Sequence, residues 1–479
     1  MNQNLKVVFV TGECLPFAKT GGLADVSSAL PRTIAAMGHQ ICIFLPRYRQ
    51  INQNEHGLRY VGDFPVNMGG FNETAILKRT YLGPEKVPVY FIDNYRYFDR
   101  NSLYGYADDA ERFIFFCKAL PEALRFMGIR PDVIHCNDWF TGLIPPLIKG
   151  VYHSDPVLGG VSTVFSIHNL AYQGTAPKEY MDMLQLGWEH FHTNGVEFYD
   201  AINPMKAGIV YSDAISTVSP TYAREIQTPE FGVGLDGLLR SRANSLWGIL
   251  NGVDYVEWNP AADPHLYGLG YDLENFHAKE EIKSRLLSDL HLLPGKEPLI
   301  GMVSRLVNQK GFDMLGAVIH KIMQLPVKLV VLGTGQPEYE RMFTSCAEAY
   351  PGRISCNFTF NNTLSHRIEA ASDMFLMPSR YEPCGLNQIY SLRYGTIPVV
   401  RSTGGLADTV VDFNSNQEYG NGFSFYDTHG DYLVDAVSRA VSCYYDPMTW
   451  MRIVANAMNS DFSWERSAGL YVEMYRSIL

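Results

Sequence analysis

No stretch of this 479-residue chain comes near the ~18 consecutive apolar residues that a transmembrane helix needs. Eight cysteines are present (Cys14, Cys42, Cys117, Cys136, Cys346, Cys356, Cys384 and Cys443), but no two form a CxxC pair. Their apolar neighbours point to reduced thiols, not to a disulfide framework or a zinc site. Charge is sparse: 19% of residues are charged against 46% hydrophobic, and the net charge is −11. That balance disfavours broad electrostatic binding to nucleic acid or to an anionic membrane. There is no GxxxxGK[ST], so a Walker loop is excluded, and no HExxH that would indicate a metalloprotease-type zinc. Gly333-Thr334-Gly335 opens like a dinucleotide fingerprint, but Glu338 takes the place of the third glycine. Low-complexity tracts are missing as well. The N-terminus has one short apolar run, one Lys6 and no small-residue cleavage site. It reads as a first strand, not a signal peptide.

What is present is a long alternation of strand-like and helix-like segments, in a chain long enough for two or three domains. Lys6–Val10 and Ile41–Leu45 are compact apolar runs of the fully buried kind. Between them Leu23, Val26, Leu30, Ile34 and Met37 recur at spacings of three and four, the stripe of an amphipathic helix, and Gly38 suits its C-terminal cap. Pro31 inside this helix is expected to bend or split it. Further strands are expected at Val87–Ile92, Val133–Ile134, Thr163–Ile167, Ile215–Val218 and Leu246–Leu250. A second series follows at Leu299–Val303, Leu329–Leu332, Met374–Met377 and Ile397–Val400. Such alternation predicts parallel sheets with crossover helices. The expected fold is α/β, with two Rossmann-like domains facing a central cleft. The boundaries are 1–255 and 256–460, followed by a helix over 461–479 able to pack back on the first domain.

One hexapeptide occurs twice, Thr20-Gly21-Gly22-Leu23-Ala24-Asp25 and Thr403-Gly404-Gly405-Leu406-Ala407-Asp408, one copy in each half. Each Gly-Gly turn opens a helical segment, where glycine allows close backbone approach and first-turn N–H groups favour anions. A plain βα turn explains a lone Gly-Gly equally well; Lys19 before the first copy and the repetition favour phosphate. The second copy opens a helix that can run little past Asp412, so the two copies are expected to differ in role.

Ligands of open α/β sheets bind beyond the carboxyl ends of the strands. Several polar groups follow strands here: Lys19, Asp138, His168 with Asn169, Arg305 with Lys310, and Glu382. Arg305 and Lys310 after a buried strand can bracket a diphosphate, or can be a solvated surface pair. Asp138 and Glu382 are candidate acceptors for sugar hydroxyls. His135 and His168, read alone, are core histidines.

Taken together, KTGGLADV (Lys19 to Val26), IHNLAYQG (Ile167 to Gly174), SPTYAREI (Ser219 to Ile226), Ser304 to Gly311, SRYEPCGL (Ser379 to Leu386) and Thr403 to Asp408 resemble the bacterial glycogen synthase and starch synthase family of the GT-B type. The resemblance covers almost the whole chain. It implies retaining transfer of glucose from ADP-glucose to the non-reducing end of an α-1,4-glucan, with ADP as product, no metal or cofactor, and no nucleic-acid or membrane partner. It implies a cytoplasmic setting, or a plastid stroma if a transit peptide has been removed. Catalytic roles are implied for Asp138, His168, Arg305, Lys310 and Glu382. Substrate contacts are implied for Lys19, Gly21, Gly22, Asp25, Asn169, Asn251, Cys384, Gly385, Leu386, Thr403, Gly404 and Gly405. Phe360 falls where the family places an aromatic against adenine, and Tyr104 near the acceptor. Front-face attack assisted by the leaving phosphate would give retention, so Glu382 need not be a nucleophile. Three positions depart from common patterns: Phe140 where histidine is frequent, Asn387 where Thr or Ser is usual, and Tyr390 where wider GT-B enzymes carry a second glutamate. Sucrose or trehalose-phosphate synthases, a catalytically silent glucan-binding paralogue and a nicotinamide oxidoreductase are the competing readings. Glu382-Pro383-Cys384-Gly385, the intact cations and the incomplete GxGxxG respectively speak against them.

Overall fold

The computed structural model describes residues 4–479. They form two compact units: the chain up to Gly252 together with Trp464–Leu479, and Val253–Ser463.

The first unit is built on a nine-stranded sheet. Its spatial order is Leu246–Gly248, Ala214–Thr217, Ser162–Ile167, Val133–Asn137, Lys6–Val10, Gln40–Pro46, Val87–Asp93, Asn72–Leu82 and Arg59–Asn67. Seven of these strands run parallel. The last two form an antiparallel hairpin on the edge, an addition to the expected parallel strands. Arg59–Asn67 alternates buried and exposed residues, with Phe64 and Val66 inward. It is therefore half-buried and lacks the continuous apolar run that marks the inner strands. Its turn, closed by Met68 N–H to the Phe71 carbonyl at 2.8 Å, contains Gly69 at φ +85°.

Lys6–Val10 has Gln40–Pro46 on one side and Val133–Asn137 on the other, so the strand order reverses there. The helix Leu23–Ala36 that follows it is continuous through Pro31. Proline removes one N–H and leaves the Ser27 carbonyl short of its helical donor. The Cys14 thiol, which also faces the Leu15 carbonyl at 3.3 Å, approaches it at 3.5 Å, and the helix is not split. Gly38 at φ +91° ends it: Gly38 N–H bonds the Ala35 carbonyl and His39 N–H the Ile34 carbonyl, a Schellman cap. The terminal helix Trp464–Ser477 packs against Leu23–Ala36. Three bonds tie this segment to the first unit: Ser467 Oγ to the Leu250 carbonyl (2.6 Å), Tyr475 Oη to His135 Nδ1 (2.7 Å), and Ser162 Oγ to the Ile478 carbonyl (2.8 Å).

The second unit holds a six-stranded, wholly parallel sheet in the order Ile354–Asn357, Lys328–Leu332, Leu299–Val303, Met374–Met377, Ile397–Arg401, Phe423–Phe425. Numbered along the chain this is 3-2-1-4-5-6, the doubly wound order of dinucleotide-binding folds. Alternate residues of each strand feed two cores. Ile300, Met302, Val331 and Leu376 face the helices Phe312–Ile322 and Gly430–Tyr444. Leu299, Val330, Phe375 and Val400 face Ala278–Asp289 and Asn362–Ala371. A sheet covered on both faces needs largely apolar strands, as the four inner ones are, whereas the edge strands Ile354–Asn357 and Phe423–Phe425 carry polar residues. The strand order reverses between Leu299–Val303 and Met374–Met377. Among the described residues no helix is long and apolar enough to cross a membrane.

Candidate functional site

In the first unit the loops leaving the switch point carry Glu13, Lys19 to Gly22 and Asp138. Lys19 Nζ pairs with Asp25 Oδ1 at 2.8 Å, both partly exposed. Burial raises the Asp25 carboxyl, and Lys19 offsets part of the rise. The amides of Thr20 and Gly21, expected to face a phosphate, instead donate to Glu13 Oε2 at 2.6 and 3.1 Å. Glu13 Oε1 accepts from the Thr20 hydroxyl at 2.5 Å and from Tyr104 Oη at 3.0 Å. Sequence reasoning passed over Glu13. The signal that could have found it is a carboxylate in the loop after the first buried strand.

Asp138 begins the turn after Val133–Asn137. It is buried, with φ +55° and ψ −178°, a region L-residues rarely occupy. Conformations of this kind cost about 1–3 kcal/mol and collect at functional sites. Asp138 Oδ1 accepts from His168 N–H (2.8 Å) and Asn169 N–H (3.4 Å), so the ends of two neighbouring strands meet on one carboxylate. Burial pushes the Asp138 carboxyl up to about 7, only partly countered by those two amides; the Glu13 charge adds to the rise. His168 is pushed down to about 4 by burial and is neutral near pH 7. Its Nε2 lies 2.9 Å from Asn137 Oδ1, and Asn137 Nδ2 donates to the Val10 carbonyl, which fixes the amide orientation. Nε2 of His168 therefore carries the hydrogen, and Nδ1 keeps its lone pair as an acceptor. His135 is buried between Tyr475 and Ser166, where it anchors the terminal helix. Asn251 is buried, and among the described residues its Oδ1 has no hydrogen-bond partner. Leaving such an acceptor unsatisfied costs roughly 1–3 kcal/mol. Phe140 lies against Gly12, where an added Cβ would stand 2.8 Å from its ring, and it packs on Tyr104.

In the second unit, the loops Ser304 to Gly311 and Pro378 to Leu386 leave the switch point side by side. Lys310 Nζ is 2.6 Å from Glu382 Oε2, which also accepts from Ser379 Oγ at 3.0 Å; Glu382 is buried. Arg305 is exposed and enters no ion pair among the described residues. Close backbone contacts hold the frame. A Cβ on Gly311 (φ +75°) would stand 1.9 Å from the Pro378 carbonyl oxygen, and one on Gly333 1.8 Å from that of Ser304. Gly404 (φ +46°) and Gly405 would likewise meet the carbonyls of Glu382 and Cys384 at 1.9 and 2.0 Å, and Gly405 N–H donates to the Glu382 carbonyl at 3.1 Å. The second Gly-Gly pair thus braces the Glu382–Cys384 turn, whereas a Cβ on Gly21 meets nothing within 4 Å. The helix opened by the second copy, Gly404–Thr409, ends before Asp412, within the expected limit. Thr403 is buried beside it. Gly385 takes φ +69°, and Leu386 caps the helix Asn387–Arg393. Asn387 Nδ2 bonds the Val303 carbonyl (2.8 Å), and Gln388 Nε2 bonds those of Cys384 and Gly385 (both 3.0 Å). Phe360 projects from the loop after Ile354–Asn357 and is 86% exposed.

Tyr390 stacks on Trp258 (3.8 Å between centroids), which stacks in turn on His366 (4.0 Å). Asp263, His265 and His366 offer ligand atoms within 4.8 Å of one another. Yet Asp263 Oδ2 is already bonded to His366 Nδ1 (2.8 Å) and Tyr394 Oη (2.6 Å), and its Oδ1 to His265 N–H (2.8 Å). This group braces the Trp258 stack.

Residues 6–241 match the family described as starch synthase catalytic domain, and residues 285–456 match glycosyl transferases group 1. Similar curated proteins include the glycogen synthase of Desulforudis audaxviator (strain MP104C), 47% identical over 99% of this chain and 97% of that protein. The glycogen synthase of Moorella thermoacetica (strain ATCC 39073 / JCM 9320) is 46% identical over 100% and 98%. Among solved structures, the catalytic domain of starch synthase IV from Arabidopsis thaliana, bound to ADP and acarbose, superposes with a TM-score of 0.93 at 34% identity, covering 99% of each chain. With near-complete coverage in both directions, and the doubly wound sheets already described, this chain belongs to the glycogen synthase and starch synthase family.

Proposed function

We propose that this chain transfers glucose from ADP-glucose to the non-reducing end of an α-1,4-glucan, with retention at the anomeric carbon. The observation that carries the reading is the pairing of Lys310 with Glu382 where the strand order of the second unit reverses. It brings a cation and a hydroxyl-accepting carboxylate onto adjacent loops. The solved relative that holds ADP and acarbose, a nucleoside diphosphate and an oligosaccharide-like molecule, supports both halves of the assignment.

In this reading residues 256–460 take the donor and residues 1–255 the acceptor. Arg305 and Lys310 hold the diphosphate, Arg305 in bidentate fashion and Lys310 as a point charge. Phe360 lies along the base, and Cys384, Gly385 and Leu386 line the glucose with Glu382. Asp138, His168, Asn169 and Asn251 complete the sugar contacts, the unmet Asn251 Oδ1 accepting from a hydroxyl. Lys19 adds charge to the phosphate side. The bond from the anomeric carbon to the phosphate oxygen breaks as the acceptor 4-hydroxyl attacks on the same face. The hydroxyl proton passes to the departing phosphate, and ADP leaves. Cations that meet the growing negative charge more fully in the transition state than in the bound donor accelerate this step. We assign the reaction to the cytoplasm, a compartment suited to eight cysteines of which none is in a disulfide.

The test is release of nucleoside diphosphate from ADP-glucose and from UDP-glucose, with and without maltooligosaccharide. Acceptor-dependent release that favours ADP-glucose is expected. Folded protein that releases neither diphosphate in response to acceptor would refute the reading.

A further inference from the structure

Glu13 is 3% exposed, and its carboxylate is met by two backbone amides of its own loop and by the Thr20 and Tyr104 hydroxyls, which also bond each other. Oε2 receives the Thr20 and Gly21 amides, and Oε1 receives the Thr20 hydroxyl and Tyr104 Oη. Successive backbone N–H groups at the start of a helix form an anion site, the arrangement that elsewhere receives a phosphate. Here a side chain of the same loop fills it. Lys19, the one cation of the loop, is turned to Asp25. Glu13 also contributes to raising Asp138, so it lies within electrostatic reach of that site.

We infer that Glu13 is a positioning residue: an internal anion that holds the Lys19–Gly22 loop and Tyr104 in one arrangement. The Thr20 and Gly21 amides then do not bind the donor phosphates; they bind Glu13. Donor and acceptor handling come to depend on the same carboxylate, because Oε2 orders the loop amides and Oε1 joins the Thr20 hydroxyl to Tyr104. The consequence for turnover rests on the glucosyltransfer reading above; the anion site itself does not.

Removing the side chain should open the site to a small anion. Glu13→Ala is expected to lose ~10–100-fold in kcat/KM, the range for losing a hydrogen bond to a charged group, with KM rising for both ADP-glucose and maltooligosaccharide. Sodium formate, against sodium chloride at equal ionic strength, should restore part of that activity. It should also raise the Tm of Glu13→Ala but not of the unsubstituted protein, since an anion bound only by the folded state stabilises it. Glu13→Gln keeps the shape but turns an NH2 group toward donors, so it should lose activity and gain nothing from formate. Activity of Glu13→Ala within twofold of the unsubstituted protein would overturn the inference. So would a loss accompanied by no formate response in either activity or Tm. If Glu13→Ala does not fold, Glu13→Gln decides: full activity in that variant overturns the inference. If the unsubstituted protein transfers no glucose, the formate-dependent Tm still tests the anion site, so the two failures are told apart.

Discussion

At the scale of single residues, two carboxylates at sheet ends are set to opposite purposes by their surroundings. Glu382 meets Lys310 at 2.6 Å, a charge-assisted bond. Lys310→Ala should cost ~10–100-fold in kcat/KM with the fold intact by circular dichroism, and unchanged turnover would remove Lys310 from the donor clamp. Asp138 enters no ion pair among the described residues and is pushed up to about 7 by burial. A carboxyl raised in the folded state lends stability that is fully present below its unfolded value near 3.8 and is lost as pH rises through about 7. Asp138→Asn should therefore raise Tm at pH 8, by the equivalent of at most roughly 4 kcal/mol, while lowering activity. Thermal melts of both proteins from pH 4 to 8 check this; a variant less stable at pH 8 contradicts it. His168 works in the other direction. Depressed to about 4, it lends stability above its ordinary 6.5 that disappears as pH falls through about 4.

At the scale of elements, the two TGGLAD copies share a sequence but not a surrounding. Gly21 has open space around its missing Cβ, whereas Gly404 sits at φ +46° against the Glu382 carbonyl. Gly21→Ala should shift stability by no more than ~0.5 kcal/mol, as at an unencumbered surface position. Gly404→Ala should cost roughly 1–3 kcal/mol or more through backbone strain and displacement of the Glu382 turn. Urea melts of the two variants decide; equal effects would contradict the distinction. The repetition itself was plain in the sequence, and so were the buried strands, because Val, Ile and Leu runs announce themselves. The unlike partners of the two glycine pairs were not, since they come from segments distant in sequence. Pro31 does not split its helix, and the thiol that approaches the carbonyl it leaves belongs to Cys14, outside the helix. Tyr390, which reads as a departure from a common glutamate, becomes intelligible only beside Trp258 and His366.

At the scale of the whole molecule, the chain leaves the first unit after Gly252 and returns to it at Trp464. The returning helix covers His135 and Leu23–Ala36, so removing residues 464–479 should loosen the first unit selectively. Hydrogen exchange should show protection lost in Val133–Asn137 and Leu23–Ala36 and kept in Leu299–Val303. Uniform loss, or none, would contradict this. Each sheet's strand order reverses beside the residues singled out from the sequence: Asp138 and Lys19 in the first unit, Arg305, Lys310 and Glu382 in the second. Their distance from the strand ends was legible; their hydrogen-bond partners, Glu13 above all, were not. The most direct test of the account is to supply glucose-labelled ADP-glucose with maltooligosaccharide and determine the linkage of the label. Label is expected in a terminal, α-1,4-linked residue at the non-reducing end. Label released as free glucose only, or joined in a β linkage, would contradict it.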